Sequence, residues 1–147
     1  MLPVLLSAAL FASSPSGPPV SWSFSSEALA DGTVQVVLTA TMEEGWHIYA
    51  TVLENELGPL PTAVRFTQSD AYEMQGGLVE PTPIQVFDPN FEMQVQYHSG
   101  TVRFVQQIKP KFDGQVEVSG EVEYMVCNDR TCLPPKLVTF SLDLPKL

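Results

Sequence analysis

Apolar and polar residues alternate along most of the chain, so that every second position is apolar. The clearest case is the segment TVQVVLTATM, in which Val34, Val36, Leu38, Ala40 and Met42 lie on one face. The segments QVEVSGEVEYMV and KLVTFSLDL show the same period. A period of two is typical of a β-strand with one buried face. We therefore predict strands in all three segments, and no segment predicts a helix longer than a turn or two.

Shorter segments predict further strands. MQVQY and TVRFVQQI flank a turn at residues 98–100 and predict a hairpin. The pair Ser119-Gly120 allows a bend or a bulge within its strand. In GWHIYA, the alternation places Ile48 on one side of a strand and His47 and Tyr49 on the other.

The predicted strands number about seven to nine, and they are short and bounded by turns. This spacing is typical of a sandwich of two antiparallel sheets. The stretch from Gln75 to Asn90 shows no clear alternation and is rich in turn residues. Because loops carry function more often than strands do, this stretch is a candidate functional loop.

Length and composition indicate one globular domain. The chain has 147 residues and a mass of 16.1 kDa, and 44% of its residues are hydrophobic. We assign the domain to residues 20–147, a length that can build a core without metal or disulfides. The formal charge of −10 excludes nucleic acid as a partner, because no basic surface is available to displace counterions from phosphates.

Residues 1–19 are predicted to be a signal peptide followed by a linker. An apolar run from Leu2 to Ala12 is too short to span a bilayer and is followed by small residues and a Pro/Ser/Gly segment. No Lys or Arg precedes the run, which departs from the usual pattern. Export would place the domain in an oxidising compartment, where a disulfide persists.

The two cysteines, Cys127 and Cys132, are the strongest chemical signal in the sequence. The alternation puts Cys127 on the strand face opposite to Val126, and Cys132 is expected to begin the next strand, so the sulfurs would meet across a hairpin. A disulfide that closes a loop of about six residues stabilises by roughly 2 kcal/mol, against almost 5 kcal/mol for a loop of about 100 residues. Both a structural hairpin disulfide and a redox-active one fit these residues.

Other chemistries have weaker support. Cys127, Cys132, His47 and His98 would make a four-ligand set, but their spacing matches no zinc-finger pattern. A soft-metal carrier that adds Met125 or His47 to the cysteines is a third alternative. We expect the two histidines to be surface or loop-lining residues. We predict no cofactor and no metal, since no phosphate-binding glycine loop or hydrolytic constellation stands out.

Several segments, in order, resemble the N-terminal periplasmic domain of the thiol:disulfide interchange protein DsbD. They are GWHIYA, GPLPTAVRF, FDPNFEMQVQYHSGTVRFVQQI and, most specifically, YMVCNDRTCLPP. The resemblance extends from about Val20 to Leu144. It implies an immunoglobulin-like β-sandwich with a redox-active cysteine pair at one end.

The resemblance also implies roles for individual residues. Cys132 would exchange with partner thiols, and Cys127 would be its resolving partner. Phe91 would be the aromatic residue of a cap loop that covers the disulfide when no partner is bound. Tyr49 would line the site beside the pair. The alternative for Phe91 is an ordinary aromatic residue at the start of a strand.

The chain departs from better-known members of this family at two places. His47 stands where they have a second tyrosine. Pro89 and Asn90 stand where they have acidic residues just before the cap aromatic, and Asp88 lies one position earlier. We therefore include His47, Asp88 and Asn90 among the site-lining residues, and we expect proton transfer at this site to differ.

The resemblance implies an exported, monomeric domain that acts as part of a protein-disulfide reductase. Its donor would be a thioredoxin-like protein or domain together with a membrane electron-transfer protein, and its acceptors would be oxidised periplasmic proteins. Full-length members carry both donor parts after this domain, whereas the present sequence ends after the last predicted strand. The donor is therefore either a separate protein or part of a longer chain. The alternative function is a non-catalytic binding module with a structural disulfide.

Overall fold

The structure, a computed structural model, describes residues 17–146. The regular secondary structure in this range consists of β-strands, and it contains no helix long and apolar enough to cross a membrane. The predicted signal peptide lies almost wholly outside the described residues, so its assignment stays a prediction.

Eleven strands form between Val20 and Asp143. Their bounds are β1 Val20–Ala28, β2 Val34–Met42, β3 His47–Tyr49, β4 Ala63–Phe66, β5 Tyr72–Val79, β6 Ile84–Asp88, β7 Met93–Ser99, β8 Thr101–Pro110, β9 Glu117–Tyr124, β10 Val126–Cys127 and β11 Lys136–Asp143.

The strands build three antiparallel sheets. Their orders are β1-β2-β8-β5, β10-β3-β7-β6 and β11-β9-β4. One hydrophobic core takes side chains from all three sheets, so the first sheet packs against the other two. The fold is an immunoglobulin-like β-sandwich, which confirms the predicted class, although the strands are more numerous than the seven to nine expected.

The alternation of the sequence describes the core correctly. The five β2 residues that the alternation places on one face are all buried, and Val118 and Val122 of β9 are fully buried. Gly120 lies between these two, and β9 runs through it without a break while pairing with β11 on one side and β4 on the other. A Cβ atom there would collide with the Arg65 carbonyl oxygen and the Phe140 ring. This glycine therefore permits close approach of neighbouring strands, and the predicted bend or bulge is absent.

The predicted hairpin at residues 98–100 is wrong. β7 and β8 follow each other directly but belong to different sheets, so they do not pair. Gly100 between them has a φ of 71°, a left-handed conformation that glycine adopts without strain. The chain turns a corner of the sandwich here, because each strand finds its partners in a different layer.

The chain also passes from one sheet to another between β9 and β10. The cysteines were expected on the two strands of one hairpin, and this change of sheet prevents that arrangement. β9 pairs with β11, whereas β10 pairs with β3. Cys132 forms only an isolated bridge with Cys127, and β11 begins later, at Lys136. The cysteines therefore do not join the two strands of a hairpin as predicted.

The stretch predicted to lack alternation, Gln75 to Asn90, contains the end of β5 and all of β6. The pairing of β5 with β8 shifts register between Gln75 and Val79, where two glycines interrupt the pattern. At the C-terminal end of β6 the pattern is inverted, since Phe87 is exposed and Asp88 is buried. Simple hydrophobic alternation cannot identify such a strand.

Candidate functional site

A disulfide joins Cys127 and Cys132, with an S–S distance of 2.06 Å. The two cysteines differ in exposure: Cys127 is fully buried, while Cys132 is partly exposed. β10 ends at Cys127, and a four-residue turn, residues 128–131, carries the chain to Cys132. An attacking group from solvent therefore meets Cys132 first.

Asn128 organises the turn between the cysteines. Its side-chain Oδ1 accepts hydrogen bonds from the backbone N–H groups of Arg130 and Thr131, both at 2.9 Å. Its own N–H donates to the Thr131 carbonyl at 2.9 Å. A short side chain that bonds its own downstream backbone is a common way to fix a turn. The turn that carries the disulfide is therefore well defined.

The disulfide lies on a small apolar cluster apart from the main core. We call this group the disulfide cluster; its buried members are Tyr49, Val95, Met125 and Cys127. Val126, between two of them in sequence, instead faces the main core. The alternation had placed Cys127 away from the core stripe, and this prediction is confirmed.

The turn between β6 and β7 packs against the disulfide cluster. Phe91 packs against the cluster, and its ring meets the Tyr49 ring edge-on with centroids 6.2 Å apart. Glu92, next to it, has a φ of 53°, so the backbone turns sharply at this point. The Asn90 side chain donates from Nδ2 to the Asn128 carbonyl oxygen at 2.8 Å. The turn is thereby tied to the loop that holds the disulfide.

Asp88, at the end of β6, is almost completely buried and forms hydrogen bonds within the same turn. Its Oδ1 accepts from the Asn90 N–H at 2.8 Å, and its backbone carbonyl accepts from the Glu92 N–H at 2.7 Å. Its Oδ2 accepts from the Tyr49 hydroxyl at 2.5 Å. Burial and this carboxylate together raise the pKa of Tyr49, so the phenol stays protonated and donates.

His47 lies directly opposite Cys127 in the pairing of β3 with β10. It is buried, so the expectation of a surface or loop-lining residue is wrong. Its Nε2 lies 3.1 Å from the Tyr49 hydroxyl and 3.7 Å from the nearer Asp88 oxygen. Burial lowers the pKa of His47, although the Asp88 and Asp129 carboxylates act in the opposite direction.

His98, the other histidine, is also buried, but it lies on the opposite side of its sheet from the disulfide. Its ring packs edge-on against Phe104 of the main core, at 5.8 Å between centroids. Its Nε2 lies 2.8 Å from a Glu80 oxygen. The proposed four-ligand metal set therefore does not assemble, and residues 17–146 contain no group of three or more His, Cys, Asp and Glu poised to hold a metal ion.

The seven candidate residues lie together at one end of the sandwich. They are His47, Tyr49, Asp88, Asn90, Phe91, Cys127 and Cys132. Sequence reasoning missed Asn128, which joins the β6–β7 turn to the turn between the cysteines, and Val95 of the disulfide cluster. An asparagine in a short loop between cysteines does indicate a turn, but its contact with Asn90 spans 38 positions. No local pattern reveals such a contact.

The sequence matches the family of the N-terminal domain of the thiol:disulfide interchange protein DsbD over residues 18–144. The chain belongs to this family. The family is known in thiol–disulfide exchange, and the chain carries a cysteine pair joined as a disulfide. No curated protein sequence matches the chain.

Several solved structures share the fold. The N-terminal periplasmic domain of ScsB from Proteus mirabilis has a TM-score of 0.60 at 19% identity, covering 89% of this chain and 48% of that one. The reduced DsbD N-terminal domain of Neisseria meningitidis gives 0.50 at 16% identity, with 82% and 83% covered. The complex of that organism's DsbD and PilB N-terminal domains gives 0.54 at 14% identity, with 87% and 88% covered.

This chain spans about half the length of the ScsB structure that it matches. At these identities the likeness is one of fold. The family assignment rests on the sequence match over residues 18–144.

Proposed function

We propose that this domain relays electrons by thiol–disulfide exchange through Cys127 and Cys132. It receives electrons from a thioredoxin-like or membrane donor and passes them to oxidised proteins of the periplasm. The observation that carries the proposal is the asymmetry of the disulfide: one sulfur belongs to a fully buried residue and the other to a partly exposed one, beneath an aromatic cap.

The asymmetry assigns different roles to the two cysteines. A thiolate that attacks a disulfide needs access to the sulfur it attacks. Access favours attack at Cys132, which expels Cys127 as the leaving group. In the reverse direction, the Cys132 thiolate attacks the disulfide of an oxidised acceptor. Cys127 then closes the bond to Cys132 and releases the reduced acceptor.

The cap turn supports a disulfide that is protected between encounters. Phe91 packs on the disulfide cluster, and the Asn90 side chain bonds the turn to Asn128. A structural disulfide has little need of a separate cover. In an oxidising compartment, a cover limits exchange with small thiols while a docking protein displaces it.

The family supports the proposed partners. A DsbD N-terminal domain of this fold forms a complex with the PilB N-terminal domain in Neisseria meningitidis, which supports a protein rather than a small molecule as the exchange partner. A thioredoxin-like donor has an accessible reactive thiolate and can supply the attacking group that this site lacks. Periplasmic location is proposed on the same family grounds.

Trapping of a mixed disulfide tests the proposal. The probe is a thioredoxin that retains one active-site cysteine, activated as a mixed disulfide with a coloured aromatic thiol. Reduced Cys127→Ser should displace the coloured thiol and form a stable covalent complex on a non-reducing gel. Reduced Cys132→Ser should form little complex, because its remaining thiol is buried. The double serine variant is the control and should form none.

Preferential trapping by Cys132→Ser would reverse the two roles. Failure of both single variants to form a complex would overturn the exchange proposal and leave the disulfide with a structural role in a binding module.

A further inference from the structure

The proposed exchange requires Cys127 to lose a proton where no water has access. Cys127 is fully buried in the disulfide cluster, and its apolar neighbours there include Val95 and Met125. Apolar surroundings disfavour a thiolate, which is the reactive form of cysteine. Once a partner is joined to Cys132, the resolving step therefore depends on a nearby group that accepts the Cys127 proton.

His47 is placed to accept it. The residue is paired with Cys127 across neighbouring antiparallel strands. Side chains paired in this way lie on the same face of the sheet, with Cβ atoms about 4.5–5.5 Å apart. The next pair in register, Ile48 and Val126, faces the main core instead. His47 and Cys127 therefore share the face that carries the disulfide.

The hydrogen bonds around His47 fix which ring nitrogen is free. The Tyr49 hydroxyl gives its single proton to the Asp88 carboxylate, so its oxygen can only accept from His47. Nε2 of His47 must therefore carry a proton. In the neutral ring, this leaves Nδ1 with an unprotonated lone pair that is not engaged by Tyr49 or Asp88.

We propose that His47 is the general base that accepts the proton of the Cys127 thiol when Cys127 resolves a mixed disulfide. This inference rests on the proposed function and deepens it. The thiol proton moves to Nδ1 as the Cys127 sulfur bonds to the Cys132 sulfur. The bond between Cys132 and the partner breaks, and its electron pair leaves on the partner as a thiolate. In this step Cys127 is oxidised and the partner sulfur is reduced, while Cys132 exchanges one disulfide bond for another. The imidazolium then releases the proton to solvent.

The surrounding groups suit both protonation states of the ring. Tyr49 on the same strand and Tyr97 on β7 pack against it, the latter with ring centroids 4.5 Å apart. Asp88 at the end of β6 and Asp129 in the cysteine turn supply negative charge. Burial keeps the resting ring neutral, and the Asp88 oxygen, 3.7 Å from Nε2, stabilises the imidazolium once the proton arrives.

The aromatic disulfide DTNB separates the two chemical steps. Reduced protein that reacts with DTNB should release one coloured thiolate when Cys132 is modified, and a second when Cys127 closes the disulfide. The two phases are recorded by stopped-flow absorbance across the pH range. The variant is His47→Gln, which retains a side-chain donor for Tyr49 but accepts no proton near neutral pH. The control is His98→Gln, which removes the chain's other histidine from the opposite side of the sheet.

In the wild type, the second phase should be independent of pH from neutrality upward and should slow only where His47 becomes protonated. In His47→Gln it should be at least about a hundredfold slower at neutral pH, in keeping with general-base catalysis. It should also accelerate tenfold per pH unit and approach the wild-type rate under alkaline conditions. The first phase should not change, and His98→Gln should behave as the wild type.

Two outcomes would overturn the role of His47 while leaving the exchange function intact. One is an unchanged second phase in His47→Gln. The other is a second phase slowed by the same factor at every pH, which indicates a positioning effect alone. If the wild type itself shows no second phase, the exchange through both cysteines fails, and the inference fails with it.

Discussion

Replacing Phe91 by alanine should expose the disulfide to small thiols. The ring is partly buried and packs on the disulfide cluster. Full burial of a phenylalanine contributes about 1.5–3 kcal/mol, so a partly buried ring contributes about 1 kcal/mol. The edge-on contact with Tyr49 adds about 0.5–1 kcal/mol. The closed cap therefore loses about 1.5–2 kcal/mol of stability, equivalent to about a 10- to 30-fold change in the ratio of closed to open states.

If reduction by a small thiol proceeds through the open state, its rate should rise by the same factor. The assay follows reduction by excess glutathione at neutral pH, with timed alkylation of free thiols and mass spectrometry. Phe91→Leu retains an apolar cover and should give a smaller increase, of about two- to fivefold. Phe112→Ala is the matched control, since that ring is 61% exposed and lies in the β8–β9 connection. Equal rates for Phe91→Ala and the wild type would refute the cap.

Further predictions concern the fold and the site. Replacing Cys127 and Cys132 together by serine should lower the free energy of unfolding by about 2 kcal/mol in urea titrations while circular dichroism still reports β-structure; an unfolded variant would contradict the limited stabilising role. Asn90→Ala should speed reduction by glutathione only about twofold, because the exposed hydrogen bond from Asn90 to the Asn128 carbonyl oxygen competes with water. A slower reaction would contradict the idea that this bond holds the turn over the disulfide. Tyr49→Phe should lower the free energy of unfolding by about 1–3 kcal/mol, because Oδ2 of the buried Asp88 carboxylate loses its hydroxyl donor. An unchanged midpoint in urea would argue against that bond. Because burial lowers the pKa of His47, the unfolded chain binds more protons than the folded domain once the pH falls below about 6.5, the ordinary pKa of histidine. The free energy of unfolding should therefore decline as the pH falls below that value. Urea titrations should show a weaker decline in His47→Gln, and an identical pH dependence would speak against a buried neutral ring.

Alternation allowed the sequence to predict the faces of the strands. It placed Ile48 opposite Tyr49, and Cys127 opposite Val126, as the structure has them. The prediction succeeded because successive side chains of a regularly paired strand point to opposite faces of the sheet. The immunoglobulin-like fold and the clustering of the candidate residues came from the family resemblance, since alternation alone indicates only a sandwich.

Other features depend on contacts that a local pattern does not contain. A glycine-containing turn fits both a hairpin and a corner between sheets, so the separation of β7 from β8 at Gly100 was not predictable. β6 was missed because its inward residue Asp88 is charged while its outward residue Phe87 is apolar. His47 is buried because β10 pairs alongside it through Cys127 and because its ring lies against Tyr49 and Asp88. All of these interactions join distant parts of the sequence.

The reduction potential of the Cys127–Cys132 pair tests the central claim most directly. The protein is equilibrated in buffers of defined glutathione or dithiothreitol potential, and the thiol content is measured by alkylation and mass spectrometry. A domain that exchanges electrons with periplasmic proteins should show a midpoint well above about −300 mV. A midpoint clearly below about −300 mV, typical of structural disulfides in secreted proteins, would contradict the exchange function.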